Sequence, residues 1–259
     1  RTFLYEVLKQ ITEMKEYIEK DLVVLERLDL IRAKTTQPDL EYVFKHALTQ
    51  EVVYNGLLKK ERQKIHERIG RVMEDFFHDR LPEFYEGLAY HYMRGLSPDK
   101  AAEYLIRAGE KAFKRYAIDE AHYFYQTAFG ILINRPEKGK DEEMLFMDLL
   151  LDWAMIYHIK GAASEYIDIL KKYESFAVSL GNNEKLGMFY ARLSSALHFN
   201  LQIKEAYFYA LKALKLGEEI GNEKIICYSC TSLCYALSEL GSLDEAVFYG
   251  QKVQKISTY

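Results

Sequence analysis

The sequence predicts an all-α protein, a solenoid of antiparallel helical hairpins, and three observations carry that expectation. Gly161, Leu201 and Gly241 fall 40 residues apart, as do Gly181 and Gly221, and as do Tyr166, Ala206 and Ala246. A fixed period of that size marks stacked helix pairs, because no single pair buries its apolar face alone. Apolar and small residues recur at helical spacing, as in Leu88, Tyr92 and Gly95, or Tyr104, Ile106, Ala108 and Ala112. Pro38, Pro82, Pro98 and Pro136 stand where a periodic segment begins or has ended, and a first-turn proline loses no partner for its missing amide hydrogen. Pro82 and Pro98 read as helix starts.

Taken in chain order, two helical segments come first, at 4–11 and 12–28, with Thr12 and Glu16 near the start of the second. Residues 30–44, LIRAKTTQPDLEYVF, resist a helical reading. They predict a β-hairpin with strands at 30–34 and 41–45 around Gln37, Pro38 and Asp39. Two helices followed by a hairpin predict a small, partial winged-helix module. Its first helix would lie upstream of Arg1, so the chain reads as a piece of a longer protein. Helices then follow at 47–58, 61–78, 83–95, 98–113, 117–133, 141–160, 163–180, 183–200, 203–219, 223–240 and 243–257. Their short connections force each one back along its predecessor. The longest polar break, NRPEKGKDEE at 134–143, also shifts the phase, since Ala121 precedes Tyr166 by 45 residues. These features divide the chain into modules at 1–60, 61–135 and 136–259.

Composition narrows the function classes. The 259 residues are 49% hydrophobic, ample for a core, and 35 Lys plus Arg against 39 Asp plus Glu give a net charge of −4. That balance lacks the basic footprint of a nucleic-acid binder. Within 14–28, Glu16, Glu19, Asp21 and Glu26 outnumber Lys15, Lys20 and Arg27, which argues against a DNA-reading helix. There is no apolar run of membrane-spanning length and no leader pattern, so the expected compartment is the cytoplasm, without membrane contact. Cys227, Cys230 and Cys234 share one helical face in CYSCTSLC, where three thiolates are able to hold zinc or an iron–sulfur cluster. No fourth ligand stands nearby, and Cys230 and Cys234 occupy slots for small apolar side chains, so core packing is expected and no metal. The sequence has no phosphate-binding loop, dinucleotide turn or nucleophile elbow, and no set of residues supplies nucleophile, base and charge stabiliser together. No catalytic residue and no cofactor are therefore expected. His46 and His66 read as structural, one of their tasks being a hydrogen bond from the hairpin to the following helix.

The first helix of each repeat pair projects an inner face of Leu151, Met155, His158 and Ile159, then Ala191, Ser195, His198 and Phe199, then Tyr228, Thr231, Tyr235 and Glu239. His158 and His198, 40 residues apart, point the same way in adjacent units. With no Lys or Arg in that set, an apolar or aromatic protein segment is a better ligand than a clamped carboxylate. The 21 tyrosines and 14 phenylalanines mainly serve inter-helix packing.

Residue by residue, the hairpins resemble tetratricopeptide repeats. Ala108, Gly109, Ala121 and Ala128 fill small-residue slots, followed by Trp153, Ala154, Tyr157 and Gly161, with Tyr166 in place of an expected alanine. The third unit offers Leu193, Ser194, Leu197, Ala206 and Ala213, and the fourth Leu233, Cys234, Leu237, Gly241 and Ala246. A second resemblance covers about residues 1–135. YVFKHALTQEVVYNGLL, RQKIHERIG and AAEYLIRAGEKAFKRYAIDEAHYFYQTAF are similar to the segment that follows the nucleotide-binding domain in bacterial signal-transduction ATPases with numerous domains. Phe44, His46, Ala47, Leu48, Glu51, Tyr54, Leu57, His66, Ala89, His91, Tyr92, Ala108, Gly109 and Glu110 carry it. Many such proteins resemble class III adenylate or guanylate cyclases. The resemblance implies a non-catalytic sensor and scaffold arm that touches an upstream ATPase domain and holds a protein or peptide on the concave face of its repeats. A stand-alone protein-binding adaptor and a transcription regulator of the helical-repeat ATPase type are the alternatives.

Overall fold

The computed structural model describes residues 2–12, 16–135 and 139–257. Lys15, Pro136 and both chain ends lie outside them, so the charge balance of 14–28 and the polar break at 134–143 are only partly described. The described chain forms two compact units, one of residues up to 114 together with 126–131, the other of 115–125 and 132 onward.

The first unit opens with a strand that the sequence pattern does not announce. Strand β1 (Thr2–Leu4) precedes α1 (Tyr5–Ile11), α2 (Ile18–Arg27), β2 (Ile31–Thr35) and β3 (Glu41–Phe44). The three strands form an antiparallel sheet in the order β1-β3-β2, with Phe3 opposite Tyr42 and Ile31 opposite Phe44. Three residues are too few to display a period of two. What holds β1 is its aromatic partner, since the Phe3 ring stacks on Tyr42 with centroids 5.6 Å apart. The helix expected from residue 12 starts later, at Ile18, because Thr12 is extended and closes α1 with its N–H on the Leu8 carbonyl. Ile18 and Leu22 of α2 then bury against Ile31 and Tyr42 of the sheet.

Four helices follow in this unit: α3 (Ala47–Gly56), α4 (Lys59–Phe76), α5 (Tyr85–Arg94) and α6 (Pro98–Lys114). Pro98 does start α6, but Pro82 lies inside a 3-10 turn, His78–Glu83, and α5 begins only at Tyr85. The turn is pinned from both sides. Phe77 and Phe84 stack at 4.0 Å, and Arg80 reaches Asp39 at 2.5 Å. Polar groups on α4 then register the α5–α6 hairpin. The buried Glu67 carboxylate accepts from the Leu96 N–H at 2.9 Å and the Ser97 hydroxyl at 2.6 Å. Glu74 accepts from the Tyr92 hydroxyl at 2.5 Å, the Lys100 ammonium at 2.9 Å and the Tyr104 hydroxyl. Close approach depends on Gly70, where a Cβ would meet the Tyr92 ring at 2.8 Å. His66 joins α3 and α5 instead of the hairpin, bonding the Tyr54 hydroxyl and His91 Nδ1, each at 3.0 Å. His46 is exposed and does not cap α3.

After α7 (Ile118–Ile133), which contributes residues to both units, the second unit holds α8 (Lys140–Asp152), α9 (Ala154–Ile159), α10 (Ala163–Ser179), α11 (Asn183–Phe199), α12 (Ile203–Ile220), α13 (Glu223–Glu239) and α14 (Leu243–Ser257). The single helix expected at 141–160 is broken at Trp153, whose carbonyl takes the Ile156 N–H in a tighter turn. Its buried indole donates to His122 Nδ1 at 3.1 Å. The 40-residue period has a backbone cause. Gly161, Leu201 and Gly241 all adopt left-handed φ, 65°, 59° and 83°, and the next amide in each case bonds back to the carbonyl five residues earlier. Asn182 and Asn222, also 40 apart, cap α11 and α13 by accepting from the Lys185 and Ile225 N–H groups. Ala206, Ala210 and Ala213 are fully buried where α12 crosses its neighbours. Cys230 sits in the core with Leu214, Leu233, Leu237 and Ala246, and burial pushes its thiol up to about 11.

Candidate functional site

Short connections place α9, α11 and α13 side by side, with α10, α12 and α14 behind them, so the first helix of each pair faces one surface of the second unit. Small residues of α11, among them Gly187, Ala191, Ser194 and Ala196, are buried in these contacts. Between α9, α11 and α13 lies a cavity of about 280 Å³.

Of the residues expected on the inner face, Met155, His158, Ala191, Ser195, His198, Phe199, Tyr228, Thr231 and Tyr235 line this cavity together. Leu151, Ile159 and Glu239 do not. Leu151 is buried two residues before the break at Trp153, and Ile159 is exposed at the end of α9. Glu239 lies at the rim, its Oε1 3.7 Å from His198 Nε2. The inner face also holds residues that the projection left out, among them Tyr157, Tyr166, Arg192 and Ser232. Arg192 corrects the expectation of a face without Lys or Arg. The signal was present, since Arg192, Ser195 and Phe199 stand at i, i+3 and i+7 on one helix stripe.

The walls are mostly rings. His158 and Phe199 lie 4.1 Å apart between centroids, His198 and Tyr235 5.5 Å, and Tyr157 stacks on Tyr166 at 5.2 Å. Tyr166 fills the slot of the expected alanine and donates its hydroxyl to the Leu150 carbonyl at 2.7 Å. Burial pushes the Tyr157 hydroxyl up to about 12 and raises that of Tyr166 as well, so both are neutral side chains at ordinary pH. Two polar atoms lack partners. Arg192 Nε and His198 Nδ1 are buried and make no hydrogen bond to any described residue, although the Arg192 guanidinium lies 4.9 Å over the Tyr228 ring. Such a surface offers apolar area, one cationic fork and one ring nitrogen, a recognition chemistry.

Among the described residues no group of three or more His, Cys, Asp or Glu is placed to hold a metal ion. No described helix is long and apolar enough to cross a membrane.

No family model matches the chain. A stretch of 126 residues, 48% of the chain, is 27% identical to the uncharacterized protein R02095 of Rhizobium meliloti (strain 1021) and spans 12% of that protein's length. Among solved structures, BtubC (BKLC) from P. vanneervenii is similar with a TM-score of 0.59 at 11% identity, over 83% of this chain and 92% of that one. A Rap protein complexed with competence and sporulation factor gives 0.52 at 15% identity, over 82% and 58% of the two chains. A signal transduction ATPase with numerous domains, carrying a tetratricopeptide repeat sensor, from Pyrococcus horikoshii gives 0.51 at 15% identity, over 100% of this chain and 42% of that one. At such identities the likeness is one of fold, and the fold is a tetratricopeptide-like solenoid of helical hairpins with a small three-stranded sheet at its N-terminal end.

Proposed function

We propose that this chain is a non-catalytic, protein-binding regulatory arm of a bacterial signalling ATPase, linked to a class III nucleotide cyclase. The observation that carries the binding half is the groove itself, where rings from three helices surround two buried polar atoms without partners. Buried polar groups are normally hydrogen-bonded, and a ligand carrying peptide groups supplies what these two lack. The link to an ATPase rests on the strings between Tyr42 and Phe129 described above, and on the likeness in fold, over the whole chain, to the P. horikoshii sensor protein.

In this reading the N-terminal sheet with α1 and α2 acts as the winged-helix module. Its strand order β1-β3-β2 and the sequence of elements around α1 and α2 support that assignment. Val23, Val24 and Leu28 at α2 are exposed and acidic side chains flank them, which favours contact with the ATPase domain over DNA. A ligand in the groove changes the balance between resting and active arrangements by the difference in its affinity for the two.

The test uses the native gene product. Nucleotide turnover is measured with the groove intact and with His158→Ala and Tyr235→Ala together. A regulatory arm changes the turnover or its response to a groove ligand. Identical turnover in both proteins, or a gene product without any nucleotide-binding domain, leaves only the adaptor reading.

A further inference from the structure

We infer that the groove selects a peptide carrying an acidic side chain two or three residues from an aromatic or long apolar one, with Arg192 as the carboxylate's partner. The inference rests on the groove being a peptide site and adds the charge that the site reads.

Arg192 is half-buried, unlike the exposed Lys172, Lys204 and Lys224 of the same unit. Lys171 pairs with Glu205, Lys185 with Asp148 and Lys212 with Glu174, whereas Arg192 has no ion pair among the described residues. A half-buried guanidinium without a carboxylate is costly to keep, and its Nε–H has no acceptor among the described residues. The guanidinium carbon lies 4.9 Å from the centre of the Tyr228 ring, and the planar fork of a guanidinium matches the two oxygens of a carboxylate.

The other end of the groove sets the rest of the motif. His198 lies six positions along α11 from Arg192, about 9 Å at the helical rise and close to three residues of extended chain. With Nε2–H turned toward Glu239, His198 Nδ1 becomes an acceptor suited to a backbone N–H of the ligand. His158 and Phe199, 4.1 Å apart, form the adjoining apolar wall where a ring or long aliphatic side chain is desolvated. Glu239 at this end repels a second acid, so the carboxylate belongs at the Arg192 end. The volume of about 280 Å³ lies just below the ~300–1,000 Å³ of sites for whole small molecules, and suits one side chain with its backbone.

The experiment pans a random dodecapeptide phage library on the purified chain and on Arg192→Gln, with Tyr235→Ala as a groove control. Enriched peptides carry Asp or Glu two or three residues from Phe, Tyr, Trp, Leu or Met. A synthetic peptide of the consensus binds the native chain at least ~10-fold more tightly than it binds Arg192→Gln, and its amide analogue, Asn or Gln for the acid, loses the same factor. Added salt weakens the native complex and leaves the Arg192→Gln complex unchanged, while Arg192→Lys keeps part of the affinity. Circular dichroism melts show that the variants are folded. Peptides that need Tyr235 but carry no acid, or that bind Arg192→Gln equally well, overturn the inference and leave the peptide groove standing. Absence of any enriched peptide, or binding indifferent to Tyr235→Ala, overturns the groove reading and the inference with it.

Discussion

The two compact units hold their helices in register by different means. In the first, charged and polar side chains penetrate the helix contacts: Glu67 fastens the α5–α6 turn, Glu74 gathers two tyrosine hydroxyls and a lysine, and His66 bridges Tyr54 and His91. In the second, shape does most of this. Buried alanines, Gly187 and Gly217 let helices approach until Ile225 touches both glycines, and left-handed turns repeat at fixed spacing. A hydrogen-bonded contact specifies one geometry and is sensitive to charge, whereas a small-residue contact depends on volume. The unit built on volume is also the one that leaves an open, ring-lined cavity.

The largest expected effect breaks the second unit through volume. Phe189 is fully buried, and Phe189→Ala is expected to destabilise by ~3–5 kcal/mol in urea unfolding. A cost below about 1 kcal/mol would mean that this core collapses around losses and is not shape-specified. The matching change in the first unit removes charge with little loss of apolar volume. Glu74→Ala strands the Tyr92 and Tyr104 hydroxyls and Lys100, at about 2–3 kcal/mol, and Glu74→Gln recovers part of that.

How far the sequence disclosed all this follows the same division. Helices recurring every 40 residues were legible because the turns that end them need the left-handed backbone, and Gly161 and Gly241 after first helices, with Gly181 and Gly221 after second ones, advertise it. Strand β1 was not legible, since its three residues are held by a distant partner, Tyr42. The break at Trp153 was hidden for a similar reason, as it accompanies burial of an indole bonded to His122, 31 residues away. The groove's rings and histidines could be projected from the repeat phase. Arg192 escaped because the projection took a narrower stripe than the cavity exposes.

Acid sharpens the comparison at intermediate scale. Burial holds His91 down at about 3 and keeps His66 below the usual histidine range. From about pH 6.5 downward the unfolded chain therefore binds protons that these two rings refuse in the folded state. The stability they confer is complete above that pH and is lost as pH falls through each ring's lowered range, which for His91 reaches about 3, by up to ~1.4 kcal/mol per pH unit for each ring. Urea midpoints between about pH 7 and 5 lie above the carboxylate range; burial also lowers His122, so replacing both His66 and His91 by Gln should reduce the slope and leave the share of His122.

A smaller effect of opposite sign is expected at a repeat turn. Leu201 holds φ 59° with its side chain 82% exposed, so Leu201→Gly relieves backbone strain without losing packing. A gain of about 1 kcal/mol is expected, and Gly241→Leu should cost a similar amount. Smallest of all is the stability change in the groove, where Tyr235→Ala should alter unfolding by under ~0.5 kcal/mol, as for other exposed side chains, while abolishing peptide binding.

Backbone hydrogen exchange of the whole chain, with and without a peptide selected on it, reaches the central claim most directly. The account predicts slowed exchange concentrated in α9, α11 and α13, and absent in Tyr235→Ala. Protection falling instead on α2 or α3, or no protection at a saturating peptide concentration, would contradict it.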